Sequence, residues 1–512
     1  MESFLLYSYV AVLLLLSIFG FHRYYTIYIY RKCKSNVPKP LKTFEKLPKV
    51  CVQLPVYNEQ YVVERLINTV AKIRYPRELF EIQVLDDSND ETVEIAMLAC
   101  ERLKACGINI SHIRRPNRIG FKAGALEYGQ NLTDAEFIAV FDADFLPPED
   151  FIERTIDFFT DPGIGMVQAR WDHLNRDFSI LTEVQSILLD GHFMIEHTYR
   201  NRSGRFFNFN GTAGIWRKST IVDAGGWQHD TLTEDLDLSY RAQIKGWKFV
   251  YLPELTVPAE LPVEISSFKS QQFRWAKGSI QVFKKLFPSI IRSKELSSKV
   301  KMEAFFHLAA NFAYVMMVFL CLLMPLNIVI RIGHGIYEVM IFDLPVFVFA
   351  TFSVMFFYLY SEITVINETL TMKNRSKLSP LLFLPFAISV GIGLAVNNCK
   401  AVIEALAGRK TDFIRTPKYD VSGKISCRKE TYKKVSLNNK YRFTSVSIVS
   451  IVELLFAIYF SWAVYFAFEK GFYFSMPFLI LFQFGFLYTA FLSLFYTPVM
   501  RFIHREQHRP VH

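Results

Sequence analysis

The chain has 512 residues, of which 51% are hydrophobic and 16% aromatic, and its formal net charge is +10. This length exceeds what one hydrophobic core needs and predicts two or three domains. The basic residues crowd the flanks of apolar segments, which favours a membrane surface as partner and argues against nucleic acid. The seven cysteines show no C-x-x-C spacing, a pattern typical of reduced thiols in a protein that faces the cytoplasm.

The first element is an uncharged apolar run at residues 4–21 that is about long enough to span a bilayer. A cleaved signal peptide is the alternative interpretation. The run lacks a basic n-region and a small-residue cleavage site, and it continues directly into "HRYYTIYIYRKCK". We therefore expect residues 1–28 to form a transmembrane anchor with its basic flank in the cytoplasm.

Residues 45–300 have the character of a cytosolic α/β domain. Four short β-rich stretches alternate with helix-like segments, which predicts a parallel sheet. Ligands of such sheets bind beyond the carboxyl ends of the strands, which is where Asp86, Asp87, Asp142 and Asp144 fall. Since no G-x-G-x-x-G follows the first strand, an ordinary dinucleotide-binding fold is not expected.

Five apolar stretches after residue 300 are long enough to span a bilayer, and four of them are predicted to do so. They predict a transmembrane helix pair within 301–365, an interfacial segment and a loop within 366–442, and a second helix pair with a cytosolic tail within 443–512. The predicted spans are 304–330, 344–361, 443–468 and 471–500.

The segment at 378–399 is apolar and long enough to cross, but charge argues that it lies in the interface or re-enters. Only then do the basic loop at 409–442 and the basic C-terminal tail both stay in the cytoplasm, as the positive-inside rule prefers. Glu453 interrupts the third predicted span. It either packs between helices or lines a polar path, because an acid at that depth avoids lipid.

The triplet "FDADF" ends a predicted strand and carries two carboxylates. Side chains two residues apart on an extended chain point the same way, so Asp142 and Asp144 converge. Converging carboxylates repel unless a cation joins them, and hard oxygen ligands favour Mg²⁺ or Mn²⁺ shared with substrate phosphates. A strand-to-loop Asx turn is the alternative interpretation.

A second acidic cluster lies in "TLTEDLDLSYR". Thr231 and Glu234 match a capping box, which leaves Asp235 without a structural purpose. A carboxylate at a helix start beside a bound substrate can accept a proton from an attacking hydroxyl.

Two further segments carry candidate polar groups. Lys122 opens a predicted helix, where backbone N–H groups favour anions, although a solvated surface lysine is the alternative. His192 and Glu196 lie four residues apart in "HFMIEH" and are expected to be a polar pair on a helix face, outside the metal site.

The segment "QQFRWAKG" places Gln271, Arg274 and Trp275 just before the apolar region. A guanidinium can clamp a phosphate with paired donors, and an indole can stack on a ring. A membrane-surface segment is the alternative, since Trp and Arg are common there.

In this order and ahead of a membrane array, the motifs resemble the processive family 2 glycosyltransferases of the cellulose synthase superfamily, including cellulose synthase-like and mannan synthase-like enzymes. Those carry Asp, D-x-D, T-E-D and Q-x-x-R-W, and the resemblance covers about residues 48–430. It implies a GT-A, Rossmann-like cytosolic glycosyltransferase domain joined to an α-helical transmembrane domain. The segment "FIRTPKY" at 413–419 looks like the gating loop of that family.

The resemblance also implies a role for each site residue. Asp235 is the expected catalytic base and Asp144 the ligand of Mg²⁺ or Mn²⁺. The nucleotide sugar is expected at Tyr57, Glu59, Asp87, Lys122, Asp142 and Arg274, and the acceptor at Asn210, Gly211, Thr212, Gln271 and Trp275. Cellulose synthases usually have Cys where Asn210 stands, a departure that points toward the mannan synthase-like branch.

The resemblance implies an inverting hexosyltransferase that moves a sugar, expected from UDP-glucose, to a growing β-linked glycan, with export across the membrane left open. The alternative is a non-processive glycosyltransferase that adds one or a few sugars to a lipid acceptor. A transporter that merely binds nucleotide would need neither Asp235 nor Arg274. The expected partners are a nucleotide sugar, a glycan or glycolipid acceptor and the bilayer. The expected location is a multi-pass membrane position with a cytoplasmic catalytic domain, in the plasma or inner membrane if the source is bacterial.

Overall fold

The computed structural model describes residues 2–330, 348–368, 378–411, 416–421 and 447–496, and the structural statements below concern those residues. The chain starts in a long helix, α1 (Glu2–Cys33). This helix runs past the predicted end of the anchor at residue 28, because Ile27, Tyr30 and Cys33 are buried in a cluster with residues of the sheet domain.

Seven strands form one mixed sheet, in the order β3-β2-β1-β4-β6-β5-β7 along the sheet. The first four strands of the chain are parallel to one another, as predicted. β6 runs antiparallel to both β4 and β5, whereas β5 and β7 are parallel. The strands are β1 (Val50–Val56), β2 (Phe80–Asp86), β3 (Ile110–Ile113), β4 (Phe137–Val140), β5 (Ile164–His173), β6 (Gly214–Arg217) and β7 (Lys248–Ala259).

Both faces of the sheet are covered by helices, because successive strand residues point to opposite faces. In β4, Phe137 and Ala139 join one core cluster, and Ile138 and Val140 join the other. The helices are α2 (Val63–Val70), α3 (Thr92–Ala105), α4 (Phe121–Asn131), α5 (Ile180–Asp190), α6 (Thr198–Arg202), α7 (Lys218–Asp223) and α8 (Glu234–Ile244), with a π-helical turn at Gly191–His197 before α6.

The strand directions bring the predicted site residues to one edge of the sheet. β1, β2 and β4 are parallel and end just before Tyr57, Asp87 and Asp142. Because β6 is antiparallel to β4, it begins at this same edge. The loop that holds Asn210 and Gly211 therefore enters beside the D-x-D triplet.

The helices outside the sheet domain include the candidate membrane spans. Five of the described helices are long and apolar enough to cross a membrane: Glu2–Cys33, Phe312–Ile330, Phe349–Glu368, Ile448–Glu469 and Met476–Leu494. In chain order the elements are α9 (Ile265–Arg292), α10 (Ser298–Leu308), α11 (Phe312–Ile330), α12 (Ser353–Glu368), α13 (Ser379–Gly393), α14 (Ala395–Leu406), α15 (Ile448–Glu469) and α16 (Met476–Phe491).

One predicted span differs in the structure. The stretch predicted as one span from 304 to 330 is divided, because α10 ends at Leu308 and α11 begins only at Phe312. The segment at 378–399 falls in α13 and α14, which meet at a bend of 41°. The predicted ends at 344 and 500, most of the basic loop at 409–442 and the C-terminal tail lie outside the described residues.

Two buried ion pairs and one buried histidine–carboxyl contact join the sheet domain and its flanking helices α9 and α10 to the long apolar helices. Arg176 donates to Glu362 over 2.5 Å, and Lys269 donates to Glu453 over 2.6 Å. His22 of α1 lies 3.0 Å from Glu303 of α10. Because Lys269 belongs to α9, its pair with Glu453 holds α9, which carries part of the site, against an apolar helix.

Candidate active site

A cavity of about 220 Å³ opens at the edge of the sheet where the strands end. Every residue predicted for the site lines it except Thr212. Thr212 is fully buried beneath the cavity, and its hydroxyl accepts a hydrogen bond from the backbone N–H of Asp142 over 2.9 Å. The lining residues among those predicted are Tyr57, Glu59, Asp87, Lys122, Asp142, Asp144, Asn210, Gly211, Asp235, Gln271, Arg274 and Trp275.

Two arginines that the sequence interpretation missed hold the end of the cavity formed by Tyr57 and Asp87. The Arg115 guanidinium donates two hydrogen bonds, of 2.7 and 2.6 Å, to the Asp87 carboxylate. Arg118 lies over the Tyr57 ring, with its guanidinium carbon 3.3 Å from the ring centroid. Both belong to the "RRPNR" segment directly after β3. Several arginines at the end of a strand were the sequence feature that could have predicted this part of the site. At this end of the cavity, the Arg118 guanidinium thus stacks on the Tyr57 ring in a cation–π contact.

Lys122 lies in the first turn of α4 and bridges two parts of the site. Its ammonium donates to Asp142 Oδ1 and, over 2.9 Å, to the carbonyl of Gly211. Burial would lower the pKa of Lys122, but the carboxylates of Asp142 and Glu234 raise it above its usual value. Lys122 therefore remains a cation inside the cavity, as stabilisation of an anionic group requires.

Asp144 is contacted by a segment from far along the chain. Its Oδ2 accepts hydrogen bonds from Lys418 over 2.6 Å and from the backbone N–H of Glu260 over 3.2 Å. The Glu260 carboxylate accepts in turn from the backbone N–H groups of Tyr419 and Val421. Residues 416–419, the described part of the gating-like segment, are thereby docked on the cavity, whereas residues 413–415 lie outside the described part.

The aspartates of the D-x-D triplet suit a divalent cation shared with a substrate. In the part of the chain that the structure describes, no three His, Cys, Asp or Glu side chains converge on one ion position. Asp144 already binds a cationic group, and Asp142 lines the same cavity. Mg²⁺ and Mn²⁺ accept one or two carboxylates when phosphate oxygens and water complete the octahedron. The residues therefore fit a metal that arrives with a diphosphate.

Asp235 lies in the first turn of α8. Its Oδ1 accepts a hydrogen bond from the backbone N–H of Leu236 over 2.8 Å. Burial, and then the charge of neighbouring Glu234, raise the pKa of Asp235 to about 7. A carboxylate with this pKa is a stronger base than an ordinary aspartate and is still ionised in half of the molecules at neutral pH.

The capping box predicted for this helix is wrong. Thr233, not Thr231, precedes the first helical residue, and its side chain makes no capping hydrogen bond. The Thr231 hydroxyl instead donates to the Thr233 carbonyl over 3.3 Å. Glu234 is consequently at the helix start and lines the cavity, so it belongs to the site that sequence reasoning assigned to Asp235 alone.

Gly211 allows Asp235 and Lys122 to approach the same loop. Its φ is 80°, a conformation that favours glycine. A Cβ atom there would lie 3.1 Å from Asp235 Oδ2 and 3.3 Å from Lys122 Nζ. A side chain at this position would press on both groups.

Helix α9 supplies one wall of the cavity. Gln271, Arg274 and Trp275 are spaced three and four residues apart and so share one helix face. The Arg274 guanidinium donates to the Thr416 hydroxyl over 3.1 Å. Burial lowers the pKa of Arg274 to about 10, which leaves it charged at neutral pH. The cations that line the cavity thus include Lys122 and Arg274, together with the D-x-D carboxylates.

An α/β domain with a D-x-D triplet at a strand end and a carboxylate of raised pKa at a helix start is typical of the GT-A class of glycosyltransferase. The family model described as "Glycosyltransferase like family 2" matches residues 48–278. Probable glucomannan 4-beta-mannosyltransferase 9 from Oryza sativa subsp. japonica is 34% identical over 445 residues, covering 84% of this chain and 79% of that protein. The chain belongs to the cellulose synthase-like members of glycosyltransferase family 2.

Other relatives match over shorter lengths. Glucomannan 4-beta-mannosyltransferase 1 from Oryza sativa subsp. japonica is 40% identical over 290 residues, 55% of this chain and 56% of the relative. Glucomannan 4-beta-mannosyltransferase 2 from Arabidopsis thaliana is 41% identical over 292 residues, 55% of each chain. In these two alignments the chain spans about half the length of the relative.

A solved structure supports the fold. A mannosyltransferase from Pyrobaculum calidifontis, in complex with GDP-Man and Mn²⁺, superposes with a TM-score of 0.50 at 19% identity, covering 70% of this chain and 98% of that one. The GT-A fold and the family predicted from the sequence are therefore confirmed.

Proposed function

We propose that the protein is an inverting, membrane-embedded glycosyltransferase that transfers a sugar from a nucleotide sugar to a growing β-linked glycan. One observation carries this proposal. A carboxylate with a pKa of about 7, Asp235, shares a cavity with two partly buried cations, Lys122 and Arg274, and with the D-x-D carboxylates. This set matches the two needs of sugar transfer, a base for the acceptor and positive charge for the leaving diphosphate.

The residues divide the chemistry between them. Asp235 accepts the proton of an acceptor hydroxyl, whose oxygen attacks the anomeric carbon from the face opposite the diphosphate. The C–O bond to the diphosphate breaks, so an α-linked donor yields a β linkage. Lys122 and Arg274 stabilise the negative charge that develops on the diphosphate. Mg²⁺ or Mn²⁺, held by Asp144 with Asp142 alongside, would add Lewis-acid stabilisation there.

In this proposal the nucleotide and the acceptor bind at different ends of the cavity. Tyr57, Glu59 and Asp87 hold the nucleotide, with Arg118 and Arg115 supporting them. Gln271 and Trp275 receive the acceptor sugar on the α9 wall, opposite the strand ends. Five helices long and apolar enough to cross a membrane support a multi-pass location, with the sheet domain on the cytoplasmic side.

The names of the relatives favour a mannosyl donor. Those proteins are described as glucomannan 4-beta-mannosyltransferases, and Asn210 stands where cellulose synthases usually have Cys. We therefore propose GDP-mannose as the donor, ahead of the UDP-glucose expected from the motifs alone. Transfer of one or a few sugars to a lipid is the alternative outcome.

Purified full-length protein in lipid nanodiscs, given radiolabelled GDP-mannose or UDP-glucose in parallel, tests the proposal. Expected is incorporation of mannose into a product that endo-β-mannanase digests. Incorporation of glucose only would overturn the choice of donor. Label confined to a lipid-extractable product of one or two sugars would favour the alternative, and consumption of neither donor would contradict the proposed function.

A further inference from the structure

The Asn210 side chain, at the wall of the cavity, lies between two histidines. His197 Nε2 is 2.7 Å from Asn210 Oδ1, and His192 Nε2 is 3.3 Å from Asn210 Nδ2. His192 Nδ1 is in turn 3.0 Å from Glu196 Oε2. Both histidines and Glu196 belong to the π-helical turn at Gly191–His197. A π-helical turn widens the local spacing and often marks a functional position.

The direction of each hydrogen bond in this chain follows from its acidic end. An ionised carboxylate only accepts, so His192 Nδ1 carries the proton and donates to Glu196. In the neutral ring, His192 Nε2 is then a lone-pair acceptor, and Asn210 Nδ2 donates to it over 3.3 Å. Asn210 Oδ1 is left as the acceptor for His197 Nε2–H.

The state of His197 agrees with this assignment. Burial, together with the neighbouring His192 and Arg200, holds the pKa of His197 well below its usual value, so the ring carries one proton. Within the described part of the chain, His197 Nδ1 is buried without a hydrogen-bond partner. A proton on Nε2 satisfies Asn210, whereas a proton on Nδ1 would leave a buried N–H unsatisfied at greater cost.

Glu196 is kept anionic by two arginines. Burial alone would raise the pKa of Glu196, but Arg23 and Arg200 hold it well below its usual value. Arg23 donates to Glu196 Oε1, and Arg200 lies 3.4 Å from Oε2. Since Arg23 belongs to α1, the first apolar helix supports the orientation of a group in the cavity wall.

We propose that His192, His197 and Glu196 are positioning residues that fix the Asn210 carboxamide so that its second Nδ2–H is presented to a hydroxyl oxygen of the acceptor glycan. Nδ2 has two hydrogens, and only one is used by His192. Asn210 and Gly211 both line the cavity, and Gly211 borders Asp235. A sugar oxygen bound here lies beside the group that deprotonates the acceptor. A cysteine at this position offers only a weak donor, so the amide is a specificity-determining feature of this chain.

This inference rests on the proposed function for its acceptor, but its test needs no sugar transfer. The measurement is the Kd of full-length protein in nanodiscs for mannohexaose and cellohexaose, with nucleoside diphosphate present, beside the Kd for the nucleotide alone. His197→Phe keeps the ring and removes the donor. His197→Gln keeps a donor at similar reach. Asn210→Asp keeps the shape and replaces the donating group by an acceptor.

Losing one hydrogen bond predicts about a 3- to 10-fold rise in the Kd for the oligosaccharide with His197→Phe and with Asn210→Asp. The Kd for nucleotide should change less than about twofold, and His197→Gln should restore most of the glycan affinity. In the double variant Asn210→Ala/His197→Phe, the second change should add nothing, because His197 acts through Asn210.

Three results would overturn the inference: additive effects in the double variant, equal losses of glycan and nucleotide affinity, or a wild-type protein that binds neither oligosaccharide. Glycan binding with the predicted variant pattern but without sugar transfer would sustain the inference while contradicting the proposed function. The melting temperature of each variant identifies one that fails to fold, and Asn210→Asp then carries the test as the smallest change.

Discussion

The ammonium of Lys418 lies 2.6 Å from Asp144 Oδ2, although the two residues are separated by most of the chain. The contact joins the described end of the gating-like segment to the carboxylate proposed to hold the metal. Lys418 also donates to the carbonyl of Glu260, and Thr416 accepts from Arg274 over 3.1 Å. Thr416 and Lys418 therefore form part of the cavity wall beside the proposed diphosphate position.

The metal proposal makes Asp144 necessary. Asp144→Ala should lose sugar transfer and divalent-cation dependence together, because the carboxylate that would hold the ion against the diphosphate is gone. The measurement is initial rate against Mn²⁺ or Mg²⁺ concentration after treatment with EDTA. Lys418→Met, which removes the cationic side chain but keeps the carboxylate, is the control and should still require the ion. Wild-type activity that survives EDTA would show that Asp144 has no such role.

The pKa of Asp235 predicts the pH dependence of transfer. The base acts only when ionised, and its pKa is raised to about 7, so kcat/KM should fall as the pH drops below 7. Well below the pKa the loss should be about tenfold per pH unit. Glu234→Gln removes a neighbouring negative charge that raises this pKa and should move the midpoint to lower pH. A wild-type midpoint near 4, the range of an ordinary aspartate, would contradict the assignment.

Periodicity and strand ends predicted the parts of the site that depend on local spacing. Asp142 and Asp144 follow a buried strand, and Arg274 and Trp275 share a helix face with Gln271, as their spacing indicates. The antiparallel direction of β6 could not be predicted from its four residues, because that direction depends on the strand with which β6 pairs. The loop at Asn210 nevertheless reaches the site because of that direction.

Contacts between distant segments could not be predicted. Lys418 on Asp144 and Arg118 on Tyr57 join residues whose separation along the chain carries no periodic signal. The Thr231 cap was predicted from a motif of the right spacing, but tertiary contacts start the helix two residues later than that cap requires. The start of this helix could not be predicted from the local sequence, because a capping preference is worth only about 1 kcal/mol and packing can outweigh it.

Glu453 has a partner that bears on its role. Its Oε2 accepts from Lys269 over 2.6 Å, and Lys269 also donates to Ser493 over 2.9 Å. This arrangement favours packing between helices over a path for the glycan. Glu453→Leu should cost about 3–5 kcal/mol of stability, because it leaves a buried lysine unpaired.

The double variant Lys269→Met/Glu453→Leu should recover most of that stability in thermal unfolding of the protein in nanodiscs. A single Glu453→Leu variant with unchanged stability but a shorter glycan product would instead support the path.

The topology predicted from charge can be tested with two native cysteines. Cys106 is exposed on the sheet domain, and Cys427 belongs to the basic loop outside the described residues. If both face the cytoplasm, a membrane-impermeant maleimide should label them only after cells are permeabilised, with Cys106→Ser and Cys427→Ser variants identifying each signal. Labelling of Cys427 but not Cys106 in intact cells would mean that the segment at 378–399 crosses the membrane.

The most direct test of the account compares sugar transfer and nucleotide binding in one preparation of the Asp235→Asn variant. The substitution removes the proposed base and leaves Lys122, Arg274 and the D-x-D carboxylates in place. Transfer should fall by about 10²-fold or more, while the Kd for the nucleoside diphosphate should stay within about twofold of the wild-type value, since Asp235 is not assigned to the nucleotide. Near-normal transfer by this variant would contradict the central claim that Asp235 deprotonates the acceptor.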